Sequence, residues 1–219
     1  MTVGAITGLE AEARIARRAG LAAKASGGVP SQTRAIAEAL LHDGDEALLS
    51  FGIAGALASR LAPGALLLPQ AVVTEDGTRY PVDAGRHAAA LRALRAAGVA
   101  VEEGDLLGAT AAASSPARKA ELARVTRAIA VDLESHVVAQ VAAGAGKPFL
   151  VLRAVADSAS RALPAAAVNG LAPNGKPALG RVLASLARDP RQISALIHLA
   201  ADTRRALDAL RSALRILSL

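Results

Sequence analysis

Apolar strand patterns and helical patterns alternate along most of this chain, most clearly between Ala130 and Asp157. The segment reads AVDLESHVVAQVAAGAGKPFLVLRAVAD, which predicts a strand, a helix and a second strand. Glu134 opens the helical run and Asp157 closes the second strand. Because α/β enzymes aim side chains into a cleft at the ends of their strands, these two acids are candidate site residues.

The same alternation on both sides of this segment predicts a three-layer α/β/α sandwich with a central mixed sheet. Strands are expected at residues 3–7, 47–53, 66–73, around 106, 128–131 and 149–155. Helices are expected at residues 10–18, 32–42, 86–97, 116–125 and 134–143.

The last part of the chain has a different pattern. After a Pro- and Gly-rich stretch at 163–177, two helical patterns run to the end, so residues 178–219 are predicted to be helices that pack on a single domain of residues 1–219. The second helix carries an apolar stripe made of Ile193, Leu196, Ile197, Ala200, Leu207, Leu210, Leu214 and Leu217. The stripe predicts packing on the core, and contact with a membrane surface or a partner stays open as an alternative.

Composition excludes several classes of protein. Cysteine is absent, which rules out disulfides and thiolate metal sites, and the four histidines have no metal-ligand spacing. The net charge of +6 would suit anionic lipid or a phosphorylated substrate, but three aromatic residues are too few for a nucleic-acid stacking platform. No apolar run reaches the roughly 18 residues of a membrane span and no basic leader opens the sequence, so we expect a cytoplasmic protein.

Two glycine-containing stretches differ in what they can bind. GLAPNGK at 170–176 has the spacing of a phosphate-binding loop, but Pro177 replaces the Ser or Thr that would ligate magnesium, and no strand leads into it. SFGIAGAL at 50–57 follows a buried strand, where glycine lets a ligand approach the backbone. This second stretch is therefore a candidate binding loop, with a centre made of Gly52, Ile53, Ala54 and Gly55.

Four stretches together resemble the superfamily of purine nucleoside phosphorylases and methylthioadenosine/adenosylhomocysteine nucleosidases. Residues 131–134, VDLE, and 153–157, RAVAD, are similar to its paired patterns V-(D/E)-M-E and R-A-(I/V)-(S/A)-D. SFGIAGAL resembles its glycine loop, and VGAITGLEAE at 3–12 resembles its first strand and the loop that follows. The resemblance implies an enzyme that cleaves the N-glycosidic bond of a purine nucleoside.

The resemblance also implies a role for each acid. Asp157 would give a proton to N7 of the purine, and Glu134, with the backbone beside Leu133, would bind the ribose 2′ and 3′ hydroxyls. Glu12 would orient or deprotonate the attacking water, with Glu10 as the alternative acid. The glycine loop would line the ribose and the anion or water site. A protonated Asp157 needs a raised pKa, which burial could supply.

The nucleophile is open at this point, and inorganic phosphate is the one co-substrate or cofactor considered. Phosphorylases of the superfamily carry a serine in the glycine loop, whereas Ile53 stands here and cannot hydrogen-bond through its side chain. Arg14, Arg17 or Arg18 could hold phosphate instead, because arginine matches phosphate oxygens in bidentate geometry. The stretch at 108–122 also lacks the aromatic residue that stacks on adenine in the nucleosidases.

Within the superfamily, the chain resembles the hopanoid-associated phosphorylases, which share SFGIAG, the VDLESH run, the RALP segment at 161–164 and the Arg-rich tail. This resemblance implies removal of adenine from adenosylhopane, a nucleoside with a bulky apolar 5′ group. On balance it favours phosphorolysis slightly over hydrolysis, although Ile53 taken by itself favours hydrolysis. The short apolar region between Arg18 and Gln32 would open the 5′ end of the sugar pocket. Superfamily precedent implies a homodimer or a larger homo-oligomer.

Two alternatives stay open. One is a nucleosidase of the methylthioadenosine type, which would act on small 5′ substituents. The other is a hopanoid-binding or scaffold protein at the inner face of the membrane that has lost catalysis. The second alternative rests on Ile53, Ala56 and Thr110, which depart from the residues common in the superfamily.

Overall fold

The computed structural model describes residues 2–168, 170–172 and 174–217. Small parts of the predicted domain, of the GLAPNGK stretch and of the tail lie outside the described residues, namely Met1, Asn169, Pro173, Ser218 and Leu219. The described part forms ten strands: β1 (Val3–Thr7), β2 (Ala22–Ala25), β3 (Ala47–Ala56), β4 (Leu66–Leu67), β5 (Ala71–Thr74), β6 (Arg79–Pro81), β7 (Val101–Glu102), β8 (Asp105–Gly108), β9 (Ala130–Asp132) and β10 (Phe149–Asp157). It also forms eight helices: α1 (Glu10–Arg18), α2 (Pro30–His42), α3 (Ala84–Ala96), α4 (Pro116–Thr126), α5 (Ser135–Gly144), α6 (Ala165–Val168), α7 (Leu179–Arg188) and α8 (Gln192–Ile216).

β3 and β10 form the centre of the sheet. They pair in parallel from Phe149 opposite Leu48 to Asp157 opposite Gly55. The other edge of β3 pairs with two strands in turn, with β1 in parallel over its first half and with β9 antiparallel at its end. From β10 the sheet continues through β4 to β7, and from β9 through β8 and β5 to β6. The sheet is therefore mixed, as predicted, and the carboxyl ends of β1, β3 and β10 point the same way.

The sequences of β3 and β10 explain their central position. ALLSFGIAGA and FLVLRAVAD are nearly continuous apolar runs, which is the pattern of a strand covered on both faces. All nine residues of β10 are buried. α5 and α8 both pack against β10, while α2 packs on α5 and α1 packs on α8. Helices therefore cover both faces of the sheet, and the predicted layered α/β fold is confirmed.

Several boundaries differ from the predictions. The strand expected at 66–73 is two strands, β4 and β5, because Pro69 between them cannot donate to a strand ladder. α2 begins at Pro30 rather than at residue 32. The short strands β2, β6 and β7 were not predicted. β10 continues to Asp157 with an irregular register after Val155, and an irregularity of this kind re-aims the side chain at the strand end.

The helical tail is made of α7 and α8, and its apolar stripe is only partly buried. Leu210, Leu214 and Leu217 are buried in the core, as predicted. Ile193 and Ile197, in the first half of α8, are 49% and 65% exposed, so the predicted core packing is wrong for this half. The start of α8 is joined to the short helix α6 instead, where the Gln192 side chain accepts a hydrogen bond from a backbone N–H at 2.9 Å. Within the described residues, no helix combines the length and the apolar character needed to span a bilayer.

Candidate active site

A cavity of about 260 Å³ opens where the strands of the sheet centre end. β1 leads into it through Gly8, β3 through Ile53, β9 through Asp132 and β10 through Asp157. Because β1, β3 and β10 are parallel, their carboxyl ends meet at one edge of the sheet, and the side chains that follow them converge. The cavity therefore lies where a layered α/β protein places its site.

A buried arginine organises the floor of this cavity. Arg153 in β10 is 1% exposed and its guanidinium makes a close ion pair with Asp132. The same nitrogen lies 3.3 Å from a Glu134 carboxylate oxygen and 2.7 Å from the Ser50 hydroxyl. Ser135 lies 3.2 Å from it and 2.5 Å from Asp132, so this nitrogen is surrounded by polar partners, whereas the buried Nε of Arg153 has no hydrogen-bond partner among the described residues. A buried guanidinium is stable only with such partners, and here it holds the acids in place.

The cluster carries more acid than base. Glu12, Asp132 and Glu134 surround the one guanidinium of Arg153. Burial raises the pKa of Glu134 to about 8, against the attraction of Arg153 and with the help of the Asp132 and Glu12 charges. Burial also raises the pKa of Glu12, with Arg153 opposing. The three carboxylates thus outnumber the one positive charge, and burial makes the ionised forms of Glu12 and Glu134 costly.

Glu12 connects the first helix to the glycine loop. Its two carboxylate oxygens accept hydrogen bonds from the backbone N–H of Leu9 at 2.7 Å and of Ile53 at 2.8 Å. The loop passes very close to it, because a Cβ on Gly52 would lie 2.7 Å from a Glu12 oxygen and 2.7 Å from an Arg153 nitrogen. Only glycine therefore fits at position 52. The two backbone hydrogen bonds hold the Glu12 carboxylate at the cavity wall.

Two further glycines, Gly8 and Gly55, lie close to the carboxylates of Glu134 and Asp157. A Cβ on Gly8 would lie 2.5 Å from an oxygen of Glu134, which stands at the start of α5. A Cβ on Gly55 would lie 3.3 Å from both oxygens of Asp157. The loops after β1 and at the end of β3 thus bring the backbone close to two carboxylates.

Asp157 is paired with a lysine. Lys119 in α4 is 1% exposed and makes a close ion pair with Asp157. Its ammonium also donates to the backbone carbonyls of Ser158 at 2.8 Å and of Arg161 at 3.0 Å. Burial raises the pKa of Asp157, and the Lys119 charge opposes that rise. Asp157 thus faces the cavity on one side and a buried ammonium on the other.

Most of the predicted site residues come together in this cavity. Its wall contains Glu12, Ile53, Ala54, Gly55, Leu133, Glu134 and Asp157, and Gly52 lies directly behind it. Arg14, Arg17 and Arg18 do not line it, because they stand on the exposed face of α1. Arg17 is paired with Glu10 there. The expected arginine cradle for phosphate is therefore not brought to the cavity.

Two site residues were missed in the sequence. Arg153 interrupts the apolar run of β10, and a charged residue in a strand buried on both faces must have buried partners. Lys119 shares a face of α4 with the buried Leu122, three residues further on, so it occupies an apolar position of that helix. Both residues could have been identified from the sequence, but only by assuming that β10 and this face of α4 are buried.

A comparison with protein families explains the arrangement. The sequence profile described as the phosphorylase superfamily matches residues 18–188, well over half of the chain. The chain belongs to the phosphorylase superfamily. This confirms the superfamily that the sequence resemblance indicated. No curated protein sequence matches the chain.

Solved structures show that the superfamily fold is present along the whole chain. The 5′-methylthioadenosine/S-adenosylhomocysteine nucleosidase of Neisseria meningitidis is 21% identical, with a TM-score of 0.74 over 100% of this chain and 99% of that one. The corresponding nucleosidase of Helicobacter pylori is 18% identical, with a TM-score of 0.72 over 99% of both chains. The futalosine hydrolase of Helicobacter pylori is 17% identical, with a TM-score of 0.70 over 99% of this chain and 98% of that one. At these identities the likeness establishes the fold.

A second, larger space adjoins the cavity in this superfamily member. We call it the tail groove. It has a volume of about 640 Å³ and runs between α6, α7 and α8, with a wall that includes Ala166, Leu171, Val182, Leu196, Leu199 and Leu207. Leu9, Ile53 and Thr203 belong to the walls of both spaces, so the groove continues the cavity from the glycine loop outwards. Its lining is mainly apolar, with Arg204, Asp208 and Arg211 along one side.

Proposed function

We propose that the chain cleaves the N-glycosidic bond of an adenine nucleoside, with water as the nucleophile. The observation that carries this proposal is the convergence of three acids, Glu12, Glu134 and Asp157, on one cavity at the strand ends. Bond cleavage develops positive charge on the sugar and negative charge on the departing base, so the reaction needs an acid at the base and a base at the nucleophile. The cavity supplies carboxyl groups for both positions.

The proposed roles follow from the surroundings of each acid. Asp157, with a pKa raised by burial, protonates N7 of the adenine. Glu134 accepts hydrogen bonds from the ribose hydroxyls, which lie beside the backbone of Leu133. Glu12 is held by two backbone N–H groups next to Ile53, where it orients and deprotonates the water. The titratable groups of the Arg153 cluster allow Glu12 to take up that proton.

The charge of the cavity supports water rather than phosphate. Among the wall residues in the described part of the chain, Arg153 is the only cation, and it is already paired with Asp132 and Glu134. A phosphate dianion near these acids would be repelled. Ile53 offers no hydroxyl to it. Phosphorolysis is the second candidate, because the SFGIAG and VDLESH runs resemble those of hopanoid-associated phosphorylases.

The tail groove supports a bulky apolar 5′ substituent on the nucleoside. The groove begins beside the glycine loop, where the sugar would lie, and leads away between the mainly apolar faces of α6, α7 and α8. A group the size of a triterpenoid would bury its apolar surface there, and adenosylhopane is the substrate that we propose. The Neisseria meningitidis structure is a complex with methylthio-immucillin-A, which supports a nucleoside as the small-molecule partner. A nucleosidase for small 5′ substituents and a hopanoid-binding protein without catalysis are the alternatives.

We also propose that the protein works in the cytoplasm and touches the inner face of the membrane through its tail. Leu179, Leu183, Ile193 and Ile197 are between 49% and 69% exposed on α7 and on the first half of α8, beside the groove. Such residues would enter the lipid surface from which a hopanoid substrate comes. A homodimer or larger homo-oligomer is proposed from the superfamily resemblance alone.

One assay tests the proposed reaction. The purified protein is incubated with adenosylhopane or with methylthioadenosine, in phosphate-free buffer and with added phosphate, and adenine release is followed by absorbance. We expect release without phosphate, faster turnover of the bulky substrate, and a free sugar product by mass spectrometry. Dependence on phosphate with a sugar 1-phosphate product would establish phosphorolysis. Absence of adenine release from both nucleosides would refute the enzyme proposal.

A further inference from the structure

We propose that Lys119 is the positioning residue and proton store of the leaving-group acid, Asp157. This inference rests on the proposed function, since it concerns the proton that goes to the departing base. Lys119 does not line the cavity, whereas Asp157 does. The ammonium stands behind the carboxylate and can influence a bound nucleoside only through it.

The hydrogen bonds of Lys119 single out one of its three protons. Two are donated to the backbone carbonyls of Ser158 and Arg161, at 2.8 and 3.0 Å. The third lies on the axis to the Asp157 carboxylate. If that proton moves to Asp157, the neutral amine keeps both carbonyl bonds and accepts a hydrogen bond from the new carboxylic acid. The site therefore suits both protonation states of the pair.

The surroundings of Lys119 give its ammonium few partners. The residue is only 1% exposed and so has almost no contact with solvent. It also lies near the start of α4, where the helix dipole is unfavourable to a cation. Among the described residues, Asp157 is the only anion that contacts it. The other charges near Asp157 are Arg161 and Asp202, which are paired with each other, and Arg205 also pairs with Asp202.

The proposed step moves one proton through two groups. When the bond between the sugar and adenine N9 breaks, the bonding electrons stay on the base, and N7 takes the proton of Asp157. Asp157 has received this proton from Lys119, which is left as a neutral amine, so a single proton moves and Asp157 ends as a carboxylate. The water that attacks the sugar gives its proton to Glu12. That proton returns through solvent to Lys119 after adenine leaves, so the protons balance over one turnover.

The relay makes a prediction about pH that a plain ion pair does not make. A coupled pair loses its two protons in separate steps. Between these steps the Asp157 carboxyl is ionised, but the wild-type pair still holds one transferable proton, on Lys119. The pH above which kcat/KM falls, its alkaline limit, should therefore lie above the titration midpoint of the Asp157 carboxyl. This gap should be at least about one pH unit, because groups coupled by that much titrate as a pair. The midpoint is measured by carboxyl 13C NMR and assigned with Asp157→Asn.

Two variants should remove this gap. Lys119→Met removes the charge, so the Asp157 midpoint should rise, and only Asp157 can then supply the proton. Lys119→Arg keeps a positive charge, so the midpoint should stay close to that of the wild type, but a guanidinium does not give up its proton. In both variants the alkaline limit of kcat/KM should coincide with the carboxyl midpoint. If one of the two fails to fold, the other still decides. Arg118→Met, on the exposed surface of the same helix, is the control and should keep the wild-type gap.

The possible outcomes separate this inference from the proposed function. An active wild-type protein whose alkaline limit coincides with the carboxyl midpoint would overturn the relay alone, and so would a variant that keeps the gap. A wild-type protein without adenine release at any pH would overturn the proposed function and the relay together. A gap of about one pH unit or more in the wild type, lost in either Lys119 variant, would establish the relay.

Discussion

Replacing Glu134 by Gln should abolish turnover and yet stabilise the protein at alkaline pH. Burial raises the pKa of Glu134 from an ordinary 4.5 to about 8, with Arg153 opposing and the charges of Asp132 and Glu12 adding to the rise. In the unfolded chain this carboxyl ionises near its ordinary pKa. When a group has a higher pKa in the folded protein than in the unfolded chain, the folded protein loses stability as the pH rises between these two pKa values. The window of interest therefore runs from 4.5 to about 8.

The magnitude follows from the width of this window. At about 1.4 kcal/mol per pH unit, ionisation across it costs the fold at most roughly 5 kcal/mol. Gln has the size of the neutral carboxyl group and does not titrate, so the variant avoids this cost. The difference in unfolding free energy should be smallest near about pH 5 and should grow by a few kcal/mol in favour of the variant by about pH 8.5.

Urea unfolding followed by circular dichroism, repeated across this pH range, measures the difference. Glu38→Gln is the matched control, because the Glu38 side chain is 60% exposed and its replacement should give a difference that is flat with pH. Turnover is measured on the same preparations, and loss of both sugar affinity and rate is expected if Glu134 binds the ribose hydroxyls. A Glu134→Gln variant whose stability difference does not change with pH, or falls as pH rises, would refute the reasoning about the buried acid cluster.

Three further predictions concern the cavity and the groove. Asp157→Asn should keep the fold and lower adenine release by about 100- to 10,000-fold, the usual worth of general acid catalysis, and a wild-type rate would remove Asp157 from the mechanism. Gly8→Ala should displace the Glu134 carboxylate, whose oxygen would lie 2.5 Å from the new Cβ, and a displacement of about 1 Å typically costs about 100-fold in rate. Gly144→Ala, whose Cβ meets no atom, is its control, and equal rates for the two variants would contradict the expected clash. Leu196→Trp, in the wall of the tail groove, should lower kcat/KM for a bulky 5′ substituent by about tenfold or more through overpacking, with methylthioadenosine unaffected, and an equal effect on both substrates would argue against the groove.

The central strands could be predicted because their sequences leave little choice. ALLSFGIAGA and FLVLRAVAD are apolar almost throughout, which requires cover on both faces and so a layered α/β fold. The edge strands β2, β6 and β7 are two to four residues long, and strands this short carry no periodic pattern to detect. Their positions depend on pairing with neighbours that are distant in the sequence.

The acids of the site could be predicted, but their electrostatic partners could not. Glu12 follows β1 and Asp157 ends β10, and the carboxyl ends of these parallel strands meet at one edge of the sheet, while Glu134 follows the antiparallel strand β9. Lys119 reaches Asp157 from α4 across 38 positions of sequence, and this contact depends on how the helix packs. The arginines of α1 show the opposite error. Their chemistry suits phosphate, but the apolar face of α1 turns toward the sheet and leaves Arg14, Arg17 and Arg18 in solvent.

The burial of the helical tail was also predicted correctly only in part. The apolar stripe of α8 predicted burial along its whole length, and this holds only for its last turns, which contact the core through Leu210, Leu214 and Leu217. The first turns lie beside α6 and leave the tail groove open. A helical pattern identifies the apolar side of a helix, but it does not show how far the covered surface extends.

The central claim is that the acid cavity releases adenine with water as the nucleophile. The most direct measurement is the rate of adenine release from adenosylhopane by the wild-type protein in phosphate-free buffer, with Asp157→Asn in parallel. We predict steady release by the wild type, a free sugar product that incorporates one 18O atom from labelled water, and a rate lower by about 100-fold or more in the variant. No release without phosphate, or equal rates in the two proteins, would contradict the account.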